Sequence, residues 1–179
     1  LSKPIDGKIQ AFPKYTWEDE FAIARDIGFE VIEFIFDNNK NPLLSNIGRK
    51  KIRNVVNKTN VSICSISCDY SMFFPLFGTT RYKTELNISK LIEVCKDLGV
   101  PRLGLSFEDN SSILNEKHRD EAINNMKEIL IVAEELNIII TIETFLFGYN
   151  LELFIDSIAS PNLKVNFDTG NSCAYGEDS

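Results

Sequence analysis

Short apolar runs alternate along the chain with longer stretches in which apolar residues recur every three or four positions. The first kind reads as strand and the second as amphipathic helix. Strands are predicted at residues 30–36, 61–66, 102–107, 138–142 and 163–167. A helix opens at Thr16, a good N-cap, carries Glu18, Asp19 and Glu20 in its first turn, and closes at Gly28. Its inward positions are either Trp17, Phe21, Ala24 and Ile27 or a second stripe through Ala22 and Ile23. Further helices cover about 46–58, with Ile47, Ile52, Val55 and Val56 facing inward, then 80–98, 116–136 and 151–158. Gly99 and Pro101 end the helix before the third strand.

Each strand is separated from the next by a helix, with a repeat of roughly 25–40 residues, the size of a βα unit. Such alternation means a parallel sheet in an α/β protein. With no composition break or linker, residues 1–179 read as a single domain. The runs Ile138-Ile139-Ile140-Thr141-Ile142 and Leu163-Lys164-Val165-Asn166-Phe167 read as fully buried strands. They end in Glu143 and Asp168. A charge at the carboxyl end of a buried parallel strand is costly unless paired or bound to metal, and ligands of α/β proteins bind at that edge. The two carboxylates therefore suggest a divalent metal site (Mn, Mg, Co or Zn), or else they cap helices or pair with Lys or Arg. The carboxyl-end charges on several strands favour a (β/α)8 TIM barrel over an open doubly wound sheet. No Gly-x-Gly-x-x-Gly or Walker loop supports a nucleotide site.

Other polar residues fall on the same edge. Glu33 interrupts a Val, Ile and Phe strand and points either inward to a substrate or outward to a salt bridge. Asp69, just past the second strand, is a site residue or a loop cap. Asn171, in Asp168-Thr169-Gly170-Asn171, donates to a substrate hydroxyl or holds the turn. The sole histidine, His118, stands in a polar helix start and reads as solvated. The cluster Phe73-Phe74-Pro75-Leu76-Phe77 either packs or covers a substrate. Cys64-x-x-x-Cys68 finds no second ligand pair for zinc, so the four cysteines read as free thiols suited to a reducing, cytoplasmic setting.

The composition, 44% hydrophobic and 25% charged, is that of an ordinary globular domain. A net charge of −7 counts against a nucleic-acid partner, which needs a basic face. No apolar run is long enough to span a bilayer.

With these residues placed, the chain resembles the xylose isomerase-like TIM barrels, the AP endonuclease family 2 type, and within them the bacterial sugar phosphate isomerase/epimerase branch. The matching stretches are Trp17-Glu18-Asp19-Glu20-Phe21 through Gly28-Phe29-Glu30-Val31-Ile32-Glu33, then Ile142-Glu143-Thr144 and Asn166-Phe167-Asp168-Thr169-Gly170-Asn171. The lead Leu1-Ser2-Lys3-Pro4 through Ile9-Gln10-Ala11-Phe12-Pro13 resembles the segment after that branch's first strand. The resemblance implies that the five strands are strands 2 to 6 of an eight-stranded barrel, with the first and last two absent from this chain. It implies Glu143 and Asp168 as metal ligands, with a histidine and a glutamate from the last strands completing the site. It implies isomerase or epimerase chemistry on a sugar or sugar phosphate: the metal stabilises an enediolate while carboxylates, Glu143 among them, move a proton. Glu33, Asp69 and Asn171 are then substrate-side residues. The competing readings are an endonuclease IV-like repair enzyme, a polyol dehydratase and a non-catalytic carbohydrate-binding barrel. An incomplete barrel exposes sheet edges. The 179 residues alone are therefore expected to be poorly soluble or associated, as a homo-oligomer or larger; a monodisperse, cooperatively unfolding monomer by light scattering would refute this.

Overall fold

The structure, a computed structural model, describes residues 11–174, with the backbone alone for Asn171, Ser172 and Ala174. In chain order the main elements are α1 Trp17–Asp26, β1 Val31–Ile35, α2 Asn46–Thr59, β2 Ser62–Cys68, α3 Tyr70–Phe73, α4 Arg81–Leu98, β3 Arg102–Phe107, α5 Glu116–Leu136, β4 Ile139–Thr144, α6 Gly148–Ile158, β5 Leu163–Val165 and α7 Thr169–Ala174. The strands form one parallel sheet in the order β1-β2-β3-β4-β5. Helix α1 packs on β1 and α2, α4 on β3 and α5, and α5 on β4 and α6.

The helices cover one face of this sheet. Leu103, Leu105 and Phe107 of β3 are buried, whereas the intervening Arg102, Gly104 and Ser106 are not. In β4, Ile140 and Ile142 are fully buried while Ile139, Thr141 and Glu143 are half-buried. The expectation of strands buried on both faces is thus corrected. The continuous apolar run hid a two-sided strand, and Thr141 was the polar signal within it. The helix-side residues join Phe21, Ile52, Leu91, Ile92, Met126, Ile129 and Phe154 in a single core. Each such side chain contributes on the order of 2 kcal/mol by leaving water.

Alternation is broken once, in β2. Ile32 pairs with Ile63 but Glu33 pairs with Ser65, so Cys64 is an extra residue, a β-bulge. The bulge lets Ile63 and Ile66, three residues apart, both be buried. Helix α1 follows the first predicted stripe, with Trp17, Phe21 and Ala24 buried, but Ile27 is exposed. Fifth-strand pairing stops at Val165, short of the predicted run, although the Asn166 amide still donates to the Ile142 carbonyl at 2.8 Å.

Helix α2 corrects a further expectation: Ile47 is 75% exposed. The buried stripe runs instead through Gly48, Ile52 and Thr59. Ser45 caps the helix, its Oγ accepting the Gly48 amide at 3.0 Å. This brings Gly48 against the turn at Pro42–Leu44. A Cβ at Gly48 would lie 2.7 Å from Pro42 Cα. Glycine to alanine inside a helix ordinarily stabilises by up to about 1 kcal/mol. Gly48→Ala is expected to reverse that sign and cost about 2 kcal/mol through overpacking; an unchanged or raised urea midpoint would refute it.

Candidate active site

The carboxyl ends of the strands collect the acidic residues. Ser106 of β3 pairs with Glu143 of β4, and Asn166 lies just past the pair Ile142 and Val165. Asn166 Nδ2 donates to Glu143 Oε2 at 3.3 Å. Glu143 and Asp168 line one small cavity, of about 10 Å³, walled by Leu146, Phe147 and Phe167. That is room for about one water or ion. Gly170 keeps the Asp168 carboxylate uncrowded, since a Cβ there would lie 3.1 Å from Asp168 Oδ1.

Glu108 lines the same cavity and is buried. The sequence reading missed it, although it follows the β3 run as Glu143 and Asp168 follow theirs. Two hard carboxylate donors fit a divalent ion by chemistry. Among the described residues, however, no three His, Cys, Asp or Glu are grouped to hold one. The residues present therefore supply part of a coordination shell.

A second, more polar space of about 150 Å³ lies over the open face of the sheet. Glu33, Ser65, Ser67, Arg102, Ser106, Thr141, Glu143 and Asn166 line it. Glu33 is exposed and lines this space, with its Oε2 accepting from Ser65 Oγ. Ser71 ties the top of this face together: its Oγ donates to the Cys68 carbonyl at 2.8 Å and accepts the Ser106 amide at 3.1 Å.

Asp69 sits where β2 gives way to α3, but its side chain makes no cap bond to that helix. It is buried, and its Oδ1 accepts from Ser67 Oγ at 2.6 Å. Burial pushes its carboxyl up to about 6, with added repulsion from Asp37, Glu33 and Glu143, while the Ser67 hydrogen bond opposes the shift. Three of the predicted acidic site residues are therefore within electrostatic reach of one another. Asn171 belongs to α7, and its side chain lies outside the described residues.

His118 departs from expectation. Its ring stacks on Phe77, with centroids 4.2 Å apart and planes 13° from parallel, and its Nδ1 is buried without a hydrogen bond. The partner is remote in sequence, so the polar surroundings of His118 gave no sign of it. The phenylalanine cluster is mostly packing: Leu76 and Phe77 are buried, and Phe74 stacks on Tyr70 at 4.4 Å. All four cysteines are free; Cys173 is exposed, and burial pushes the Cys68 and Cys95 thiols up to about 12. Among the described residues no helix is long and apolar enough to cross a membrane.

The chain belongs to the xylose isomerase-like TIM barrel family, whose model matches residues 21–179. Its sheet is therefore part of a (β/α)8 barrel. One similar solved structure is a xylose isomerase-like TIM barrel protein from Mycobacterium smegmatis in complex with magnesium. It is 20% identical at a TM-score of 0.74, with 92% of this chain and 60% of that one covered. Another is a D-psicose 3-epimerase determined in the presence of D-fructose, 15% identical at a TM-score of 0.74, with 91% and 61% covered. A third is a sugar phosphate isomerase/epimerase from Parabacteroides distasonis, 12% identical at a TM-score of 0.70, with 93% and 65% covered. The chain spans less than two thirds of the length of each. No curated protein matches the sequence.

The Asp69 environment has a measurable consequence. Its folded value, about 6, lies above its ordinary 3.8, so the folded state holds the proton more tightly. The stability this gives is complete below about pH 3.8 and is lost as pH rises through about 6. Asp69→Asn retains an acceptor for Ser67 but cannot ionise. Its stability relative to the parent is expected to climb across that window by on the order of 3 kcal/mol and then level off. Urea unfolding at a series of pH values checks this; a difference independent of pH would refute it.

Proposed function

We propose that this protein is a metal-dependent isomerase or epimerase of a sugar or sugar phosphate, working by proton transfer through an enediolate. The observation that carries the reading is the placing of Glu143 and Asp168, from adjacent strand ends, around one ion-sized cavity. Family membership and the named epimerase and isomerase neighbours support it. Glu143 and Asp168 would hold the divalent ion, in keeping with the magnesium in one neighbour. When bound, that ion supplies Lewis-acid polarisation of a carbonyl beside a hydroxyl.

The chain's own residues do the rest. Glu143 is the candidate acid/base: its carboxylate takes a proton from the carbon beside the carbonyl, or returns one to it. Asn166, bonded to Glu143, holds that carboxylate in orientation. Glu33 and Asp69 face the substrate's hydroxyls through Ser65 and Ser67. Asn171 is assigned to a substrate hydroxyl on sequence position alone. The apolar wall of Leu146, Phe147 and Phe167 limits water near the reacting carbon. We read residues 1–179 as one domain. The free thiols accord with a reducing, cytoplasmic location.

The test is exchange of carbon-bound hydrogen with deuterated solvent, followed by NMR on a panel of ketoses and their phosphates with the full chain. Exchange is expected with manganese or magnesium and is expected to vanish on chelation. Glu143→Gln is expected to lower its rate by at least about 100-fold, the scale of a lost acid/base group. Exchange that survives both treatments would refute the assignment.

A further inference from the structure

We propose that the groove over the open face of the sheet is an acceptor-lined subsite for the uncharged, hydroxyl-bearing end of an open-chain polyol, and that it excludes a phosphorylated end. The inference rests on the isomerase reading and narrows its substrate class.

The directions of three hydrogen bonds carry it. Ser65 Oγ donates to Glu33 Oε2 at 2.5 Å, and Ser67 Oγ donates to Asp69 Oδ1 at 2.6 Å. A hydroxyl has one proton to give. With that proton committed to a carboxylate, each serine turns only lone pairs toward the groove. Asn166 commits one of its two amide N–H groups to Glu143. Ser67 pairs in register with Gly104, and Gly104 with Thr141. On its β3 side Ser67 therefore meets no side chain, whereas on its β1 side it pairs with Ile35, and it lines the groove.

Charge points the same way. Two carboxylates, Glu33 and Glu143, line the groove, against one guanidinium, Arg102, among the described residues. A phosphate needs donors and positive charge. Here it would find the Ser65 and Ser67 protons committed and two carboxylates in the wall against one guanidinium. An ammonium group would suit the acceptors but would meet Arg102. A sugar hydroxyl both donates and accepts. It can give its proton to Ser65 or Ser67 and accept from Ser106, whose Oγ is buried with no partner of its own.

Calorimetric titration of the full chain with D-fructose and with D-fructose 6-phosphate tests this. The free ketose is expected to bind at least about tenfold more tightly, the scale of an unmatched charged group. Ser65→Ala and Ser67→Ala are each expected to weaken ketose binding roughly fivefold and to leave the weaker phosphate binding unchanged. Circular dichroism confirms folding, and Ser65→Ala, whose partner Glu33 is exposed, keeps the test open if the Ser67 variant misfolds. Tighter binding of the phosphate, lost in Arg102→Gln, would overturn the proposal, and so would no binding of either sugar. Hydrogen exchange on a sugar whose binding ignores both serines would overturn the subsite and leave the isomerase reading intact. Serine-dependent ketose binding without exchange would do the reverse.

Discussion

Where Glu33 pairs with Ser65 rather than Cys64, β2 gains one residue on its neighbour, and both faces of the sheet are set from that point. Strict alternation from the buried Ile63 would turn Ser65 and Ser67 toward the helices and Ile66 toward the groove. Two hydroxyls would then need partners inside an apolar core, and an isoleucine would fill the polar space. The bulge removes both costs. Ile66 and Cys68 enter the core, and Ser65 and Ser67 reach Glu33 and Asp69. The apolar face supplies the core, and the polar face carries the candidate site. One unpaired residue keeps them apart along β2.

The sheet also explains why the acids gather. Parallel strands end on one edge, so a carboxylate placed after each apolar run arrives beside its counterparts without any further design. Glu108, Glu143 and Asp168 in this way come to line one small cavity, without grouping closely enough to hold an ion by themselves. Asp69 arrives by the same route at the end of β2. Its burial at the junction of β2 and α3 holds its carboxyl well above the ordinary range.

Much of this was legible in the sequence because local signals agreed with one another. The boundaries of α5 and β3 match their predicted ranges, helped by Asn115, whose side chain caps α5, and by Gly99 before Pro101. The exposed Ile47 was misread because an apolar residue in the first helical turn looks inward by type alone. Its neighbour Gly48 faces the core because backbone, not side chain, packs there. The His118–Phe77 stack depends on two segments far apart in sequence and left no local trace. The bulge at Cys64 was likewise silent, since Ser-Ile-Cys-Ser-Ile-Ser-Cys alternates acceptably in either phase. Glu143 and Asp168 stood out as candidates because a charge closing an apolar run is conspicuous. Glu33 and Asp69 left two readings open, and only the third dimension shows which serine meets which carboxylate.

Those serine–carboxylate pairs serve two ends at once. Glu33 and Glu143 act on Asp69 across the open face, and hydrogen-bond donors offset the crowding of the three carboxylates. Ser65, Ser67 and Asn166 provide them. The donors spent on stabilising the acids are then lost to a ligand. A face that must hold several carboxylates without lysines therefore becomes rich in acceptors as a by-product of its own electrostatics. The subsite proposed above for an uncharged, hydroxyl-bearing ligand needs no added recognition element on this sheet. It follows from the same few bonds that let the acids coexist.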